Sequence, residues 1–288
     1  MTSSIFIVGA GAVGGSLAVA LAGRGCPVVG VCDPVGERAR TIAEAAGNVP
    51  HFEELPGETA RADIVLVAVP DGRIAEVAKK AAKHGLCDSS QIWLHVAGAL
   101  SAEALSTLNG QVRAVGTFHP ALVFAPGQIT KIRPDARFAA DGEAAALDAA
   151  RELAKCLDGA LVEVPAHLRP LYHASTVLAS NCLVALVSEA RGVLVRAGLE
   201  EQAAESLLTS LASSATDRAR DIGVDAGLSG PIRRGDLKTV TRHLEALESA
   251  PEVEKTYRLL GLAVARLAER TGEVDSSTRE EITRLLEG

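Results

Sequence analysis

Nowhere in its 288 residues does this chain gather a run of lysine or arginine, and its net charge is −7. Nucleic acid and anionic membrane surfaces are therefore not expected partners, since both call for a basic patch. A C-x-x-C pair is also missing. The five cysteines (Cys26, Cys32, Cys87, Cys156 and Cys182) are scattered and odd in number. That spacing excludes a metal cluster and implies reduced, mostly buried thiols, as in a cytoplasmic protein. The first strand pattern begins by Ser4, so no signal peptide is expected. Internal repeats and low-complexity tracts are absent. The longest uncharged run, Pro170 to Ser188, is long enough to span a bilayer. It contains His173, Ser175, Thr176, Ser180 and Asn181, so a buried helix is expected there rather than a membrane span.

What is present is apolar and alternating. Hydrophobic residues make up 48% of the chain, which fits a globular protein of about two domains. Strand patterns at 4–8, 28–33, 63–69, 91–95 and 112–118 alternate with helix patterns at 12–24, 37–46 and 74–84. Asp63 to Val69 is continuously apolar, as in a strand covered on both faces. Late strands are expected at 137–140 and 161–164, around a helix at 143–157. Beyond Pro165 strand signals vanish, and helices are expected at about 170–197, 200–221, 236–249, 252–270 and 276–286. The fold class is α/β: an N-terminal, doubly wound, mostly parallel Rossmann sheet over 1–167, then an all-α domain over 168–288.

The first strand runs into Gly9-Ala10-Gly11-Ala12-Val13-Gly14, directly before a helix pattern. In G-x-G-x-x-G the first glycine permits a tight turn, the second lets a pyrophosphate approach backbone N–H groups, and the third packs helix on strand. The helix N-terminus adds a partial positive charge. These six residues are the expected cradle for NAD or NADP. Asp33 ends the second strand, where a carboxylate accepts from a ribose 2′-OH and repels a 2′-phosphate; Arg38 and Arg40 weigh the other way. Val69 and Pro70, followed by Asp71 and Gly72, end the central strand where ligands of open α/β sheets bind.

His95 and His119 close neighbouring strands, and imidazole exchanges protons near neutrality. His173, Thr176 and Ser180 share one face of the following helix, with Asn181 at its edge. Such groups need partners, from substrate, cofactor or other helices, because leaving one buried and unpaired costs about 1–3 kcal/mol. In Gly230-Pro231-Ile-Arg233-Arg234-Gly235-Asp236, Asp236 caps the next helix and Arg234 could clamp a carboxylate. His243 follows on that helix. The candidate catalytic residues are His119, His173 and Asn181. The candidate substrate contacts are Arg234, His95, Thr176 and His243.

Taken together, the glycine motif, His95-Val-Ala-Gly98-Ala-Leu, His119-Pro120, Tyr172-His173 with Asn181, and the Gly230–Asp236 loop with His243 resemble a bacterial family. Its members are Rossmann-like oxidoreductases with a C-terminal helical domain of unknown function, related to the 6-phosphogluconate and β-hydroxyacid dehydrogenase superfamily. They are similar in layout to pyrroline-5-carboxylate, ketopantoate and prephenate-type reductases. The resemblance implies hydride transfer between a nicotinamide and a small carbonyl or hydroxy acid, with a 2-oxo acid such as ketopantoate as the best single substrate. A prephenate- or imine-type dehydrogenase and a non-catalytic NAD(P) redox sensor are the alternatives. One departure stands out: the superfamily's catalytic lysine, four residues before its asparagine, corresponds here to Val177. Apolar faces on the C-terminal helices imply a homodimer.

Overall fold

The apolar runs at the start of the chain are short, β-branched and separated by one helix each, and they close into a single parallel sheet. A computed structural model describes residues 3–288, apart from the side chains of residues 58 and 60. Its elements, in order, are β1 (Ile5–Val8), α1 (Ala12–Gly23), β2 (Val28–Cys32), α2 (Gly36–Ala45), β3 (His51–Phe52), β4 (Ile64–Val67), α3 (Ile74–His84), β5 (Ile92–His95), β6 (Ala114–Thr117), β7 (His119–Pro120), β8 (Arg137–Ala140), α4 (Ala144–Cys156) and β9 (Ala160–Glu163). Helices α5 (Arg169–Ala179), α6 (Asn181–Arg196), α7 (Glu201–Ile222), α8 (Val224–Gly227), α9 (Leu237–Leu247), α10 (Pro251–Arg270) and α11 (Ser276–Glu287) complete the chain. The chain forms two compact units, Met1–Ser180 and Asn181–Gly288.

In the first unit six parallel strands lie in the order β3-β2-β1-β4-β5-β6, with a reversal between β1 and β4. This is the doubly wound Rossmann arrangement, whose ligand crevice lies outside the carboxyl ends of the strands. Strand periodicity sorts the core. Ile5, Ile7, Leu66 and Leu94 pack on one side with Leu17, Leu21 and Leu153. Phe6, Val8, Val65 and Trp93 pack on the other with Ile74 and Leu105. A second sheet, β7-β8-β9, follows; β7 is antiparallel to β8, and His119 pairs with Ala139. The stack of Phe118 on Phe138, 4.6 Å between centroids, anchors the residue just before His119.

Two expectations change here. The domain boundary at 167/168 moves to 180/181, so α5 belongs to the first unit. The reason is Arg169, whose side chain is fully buried and donates to the carbonyl oxygens of Ala97 and Leu100, just past β5. A charged group that has left water must keep such partners, and it ties the helix to the sheet. The expected continuous helix 170–197 is also interrupted at Ser180, whose backbone leaves the helical region at φ −125°, ψ −77°.

The cysteines are corrected too. Cys26, beyond α1, and Cys156, the last residue of α4, form a disulfide across 130 residues of sequence. Both flanking helices pack on the same core, which spacing along the chain could not reveal. Cys32 is a buried thiol, Cys87 is half-buried and Cys182 exposed.

The second unit is wholly helical among its described residues. Its core comprises Ile232, Val240, Leu244, Ala265, Ile282 and Leu286. Carboxylates start α7, α9 and α11: Glu200 accepts from the amides of Gln202 and Ala203, Asp236 from that of Thr239, and Asp275 from that of Thr278. The helical stretch Ala166–Arg196 has a mean hydropathy of 1.5 in its most apolar window, and none of that window is buried. The expectation of a buried helix is not met there.

Candidate active site

The glycine loop, Asp33, Val69 with Pro70, and His119 follow the carboxyl ends of the parallel strands β1, β2, β4 and β6, while Arg169, Tyr172 and His173 sit on α5. Gly9 follows β1 with φ +102°, and a Cβ there would stand 2.6 Å from the Ala68 carbonyl oxygen. Only glycine meets both constraints. A Cβ on Gly14 would strike the Gly9 carbonyl oxygen and lie 2.8 Å from the Ala68 Cβ, so α1 rests directly on the loops after β1 and β4. Gly11 differs: a Cβ there would meet nothing within 4 Å. The space above Gly11 is not used by the protein. Beside it α1 begins with no side-chain cap and no acidic residue in its first turn, leaving its amide donors for an anion.

That space belongs to a cavity of about 930 Å³ in the first unit, large enough for an extended cofactor. Gly9, Gly11, Ala12, Val13, Asp33, Val69 and Pro70 line it, and Gly98, His119 and His173 line it as well. Ala10 is buried under the loop, and its amide donates to Asp33 Oδ2 at 2.8 Å. Asp33 Oδ1 accepts from the Val35 amide (2.9 Å) and from Arg38 Nε (3.1 Å) and Nη2 (2.9 Å). Asp33 thus clamps the glycine turn and holds Arg38 at the cavity. Reading a ribose would be an additional task for a carboxylate that is already bonded.

His119 stands after β6. Its Nδ1 is 2.8 Å from the Tyr172 hydroxyl, and the two rings meet edge to face with centroids 5.6 Å apart. The Arg169 guanidinium lies 5.3 Å from the Tyr172 ring centroid. Burial, then the positive charge of Arg169, lowers the His119 pKa to about 4, so the imidazole is neutral at physiological pH. His173 packs edge to face on His119 at 6.1 Å, and its buried Nδ1 has no partner among the described residues. Asp141 completes the support: it accepts from the Thr117 hydroxyl (2.7 Å) and the Ala102 amide (2.9 Å), with Arg169 Nε at 3.6 Å.

The remaining candidates lie elsewhere. His95 is fully buried; its Nε2 is 2.9 Å from the Ser101 carbonyl oxygen and its Nδ1 accepts from the Ala97 amide. Both nitrogens are spent on shaping the turn after β5, and burial lowers its pKa. The expected substrate contact through His95 is therefore corrected to a structural role. Thr176 does not line this cavity, and its hydroxyl donates to the His173 carbonyl oxygen within α5. Asn181 opens α6 in the second unit. That unit also holds Arg234, exposed in the turn before α9, and His243, whose Nδ1 is 2.9 Å from the Tyr257 hydroxyl.

Sequence reasoning gave no site role to Tyr172, Arg169 or Asp141. A signal existed for the first two: an arginine and one of only two tyrosines flank Pro170-Leu171 in an otherwise apolar segment. Nothing local marked Asp141.

Residues 2–120 match the Rossmann-like domain family, and residues 136–264 match a domain of unknown function, DUF2520. The chain thus carries a Rossmann-like domain followed by a DUF2520 domain. A search of curated proteins finds no match. Among solved structures, a Thermotoga maritima protein shares 24% identity over 92% of this chain and 98% of that one, with a TM-score of 0.71. A Bacteroides fragilis protein described as an NADP oxidoreductase shares 20% over 91% and 98%, with a TM-score of 0.70. A pyrroline-5-carboxylate reductase from Coxiella burnetii shares 15% over 95% and 98%, with a TM-score of 0.64. Likeness at these identities shows the common fold.

Proposed function

We propose that the protein is an NAD(P)-dependent oxidoreductase that moves hydride between a nicotinamide and a small carbonyl or hydroxy acid. One observation carries this reading: a single cavity joins the open space over Gly11 to the imidazoles of His119 and His173. The likeness in fold to a described NADP oxidoreductase and to a pyrroline-5-carboxylate reductase supports it.

Gly9–Gly14 and the first turn of α1 would hold the pyrophosphate, and Val69 and Pro70 would border the nicotinamide ribose. The bound nicotinamide supplies or accepts the hydride. His119 and His173 serve the substrate oxygen by hydrogen bonding and proton exchange. Val177, where the superfamily has its lysine, cannot exchange a proton, so the imidazoles take over that task. Among substrates, a 2-oxo acid of the ketopantoate kind comes first and a cyclic imine second.

The test is a fluorescence titration with NADH and NADPH, followed by turnover assays on a panel of 2-oxo acids and cyclic imines. Micromolar binding of one cofactor with turnover of a panel member is expected. Silence with both cofactors would end the reading, and tight binding with no turnover anywhere would favour a redox sensor. The same titration on Asp33→Ala weighs cofactor choice: selective gain of NADPH binding would assign Asp33 to phosphate exclusion. Equal loss of both would leave it as the clamp of the glycine turn.

A homodimer is part of the proposal. In the first unit α5 leaves Leu171 and Leu178 67% and 68% exposed, and in the second α6 and α7 leave Val184 and Leu211 at 66% and 64%. Side chains of that kind cover one another when two copies meet. Light scattering at micromolar concentration is expected to give twice the chain mass; the mass of a single chain would remove this part.

A further inference from the structure

We propose that Tyr172 is the positioning residue of proton donation: its hydroxyl donates to Nδ1 of His119, so that the ring's own proton sits on Nε2 and faces the cavity. This rests on the reading of the cavity as an oxidoreductase site. Three features of the structure support it.

The first is the direction of the 2.8 Å bond between Tyr172 and His119. A neutral imidazole has one bare nitrogen and one N–H, and its neighbour's hydrogen bond decides which is which. Of the two groups the phenol is the stronger acid and the imidazole nitrogen the stronger base, so the hydroxyl donates. The second is the place of Nε2. It has no hydrogen-bond partner among the described residues, and a Cβ built on Gly98 would come within 2.9 Å of it. That Cβ would also overlap His173 Nδ1, so the bare Gly98 keeps both imidazoles at the cavity wall.

The third is the cation under the pair. Arg169 is fully buried and cannot swing away: Ala97 and Leu100 accept from it, and Asp141 lies beside it. It stands 5.3 Å from the tyrosine ring, where a positive charge favours a phenol that gives up its proton.

The step balances. Hydride arrives at the substrate carbonyl carbon and the π pair of the C=O bond moves onto oxygen. That oxygen forms an O–H bond with the Nε2 proton, whose N–H electrons stay on the imidazole. Nδ1 takes the phenol proton in the same event, so no imidazolate is formed. The phenolate left beside Arg169 then takes a proton from solvent water. The reverse order serves alcohol oxidation. Burial holds the His119 ring neutral and raises the Tyr172 pKa, so both groups start in the protonation states the step needs.

The test uses the full chain with ¹⁵N-labelled histidine, His119 being assigned by loss of its signals in His119→Gln. In the wild type at pH 7, His119 is expected to carry its proton on Nε2 with Nδ1 bare. In Tyr172→Phe the two tautomers should mix, because the ring has lost the donor that fixed it. A proton on Nδ1 in the wild type, or an unchanged Nε2–H tautomer in Tyr172→Phe, would overturn the proposal whether or not a substrate is known. On the substrate that the wild type turns over, Tyr172→Phe should lower kcat about 100-fold, inside the usual range for a lost proton-transfer partner. KM and affinity for the cofactor that the wild type binds should stay within about threefold, the loss falling on the transition state alone. An undiminished kcat would overturn it too. Failure of the wild type to bind either cofactor would instead fell the parent reading, with the tautomer measurement still deciding this one.

Discussion

The chain has two tyrosines, and each meets a histidine in the same way. Tyr172 bonds Nδ1 of His119 and Tyr257 bonds Nδ1 of His243, with the rings nearly perpendicular in both pairs. Their surroundings differ. His119 of the first pair lines a cavity whose wall also holds Asp33, Arg38 and Asp71, and a buried arginine lies beside Tyr172. The second lies in the helical unit, where Tyr257 lines a cavity of about 410 Å³ among Leu186, Val193, Leu194 and Val264. Burial raises the pKa of both tyrosines, but only at Tyr172 does a nearby cation pull the other way. A hydrogen bond between the same two residue types is thus a structural fastening in one place and a candidate proton path in the other. What separates them is a cavity with charged residues in its wall, where the other is lined mainly by apolar side chains, and a fixed charge.

The largest expected effect is His119→Gln. Turnover should fall by about 10²–10⁴-fold, the usual weight of a proton-transfer group. Affinity for whichever reduced cofactor the wild type binds, read by fluorescence, should hold. A fall of less than tenfold would erase the distinction between the pairs.

Stability against pH comes next. The His119 pKa drops from 6.5 to about 4 on folding, so between those values the unfolded chain binds more protons than the folded one. Its contribution is fully present above pH 6.5 and is lost as pH falls toward 4, by up to roughly 3 kcal/mol. Denaturant melts of wild type and His119→Gln between pH 7 and 4 should converge as the pH drops. Parallel curves would mean the ring is not held neutral.

Gly11→Leu sharpens the comparison at the other end of the same cavity. The new side chain meets no protein atom near its Cβ, so the melting temperature should be unchanged. Cofactor affinity should drop about 100-fold, near 2.7 kcal/mol. A variant that binds normally would show that the space over Gly11 is not the phosphate site.

The smallest effect is expected at the second pair. Tyr257→Phe removes one hydrogen bond, worth about 1 kcal/mol of stability, and should leave kcat alone. A clear loss of turnover would give the two pairs a common role.

Much of this could be read before any coordinates. The alternation of strand and helix patterns placed β1, β4, β5, α1 and α3 within two residues, and Asp236 starts a helix as its position implied. The glycine loop's geometry followed from residue type. Other parts could not be read. His95 and His119 close adjacent strands in the same manner, yet one ring turns inward to Ser101 and the other stands at the cavity. Thr176 shares a helix face with His173 but spends its hydroxyl on its own helix. The Cys26–Cys156 pair depends on two helices meeting on one core.

The amino-acid order by itself determined what is local: apolar period, turn glycines, caps, and a phosphate cradle at the head of α1, because each depends on neighbours a few residues away. Only the tertiary structure decided which histidine works with which tyrosine. His119 and Tyr172 are 53 positions apart, and Arg169 reaches 72 positions back to Ala97. Contacts of that span exist only after the sheet has formed and α5 has docked on it. They are set by packing and by the need of a buried charge for partners, neither of which is written in any one segment.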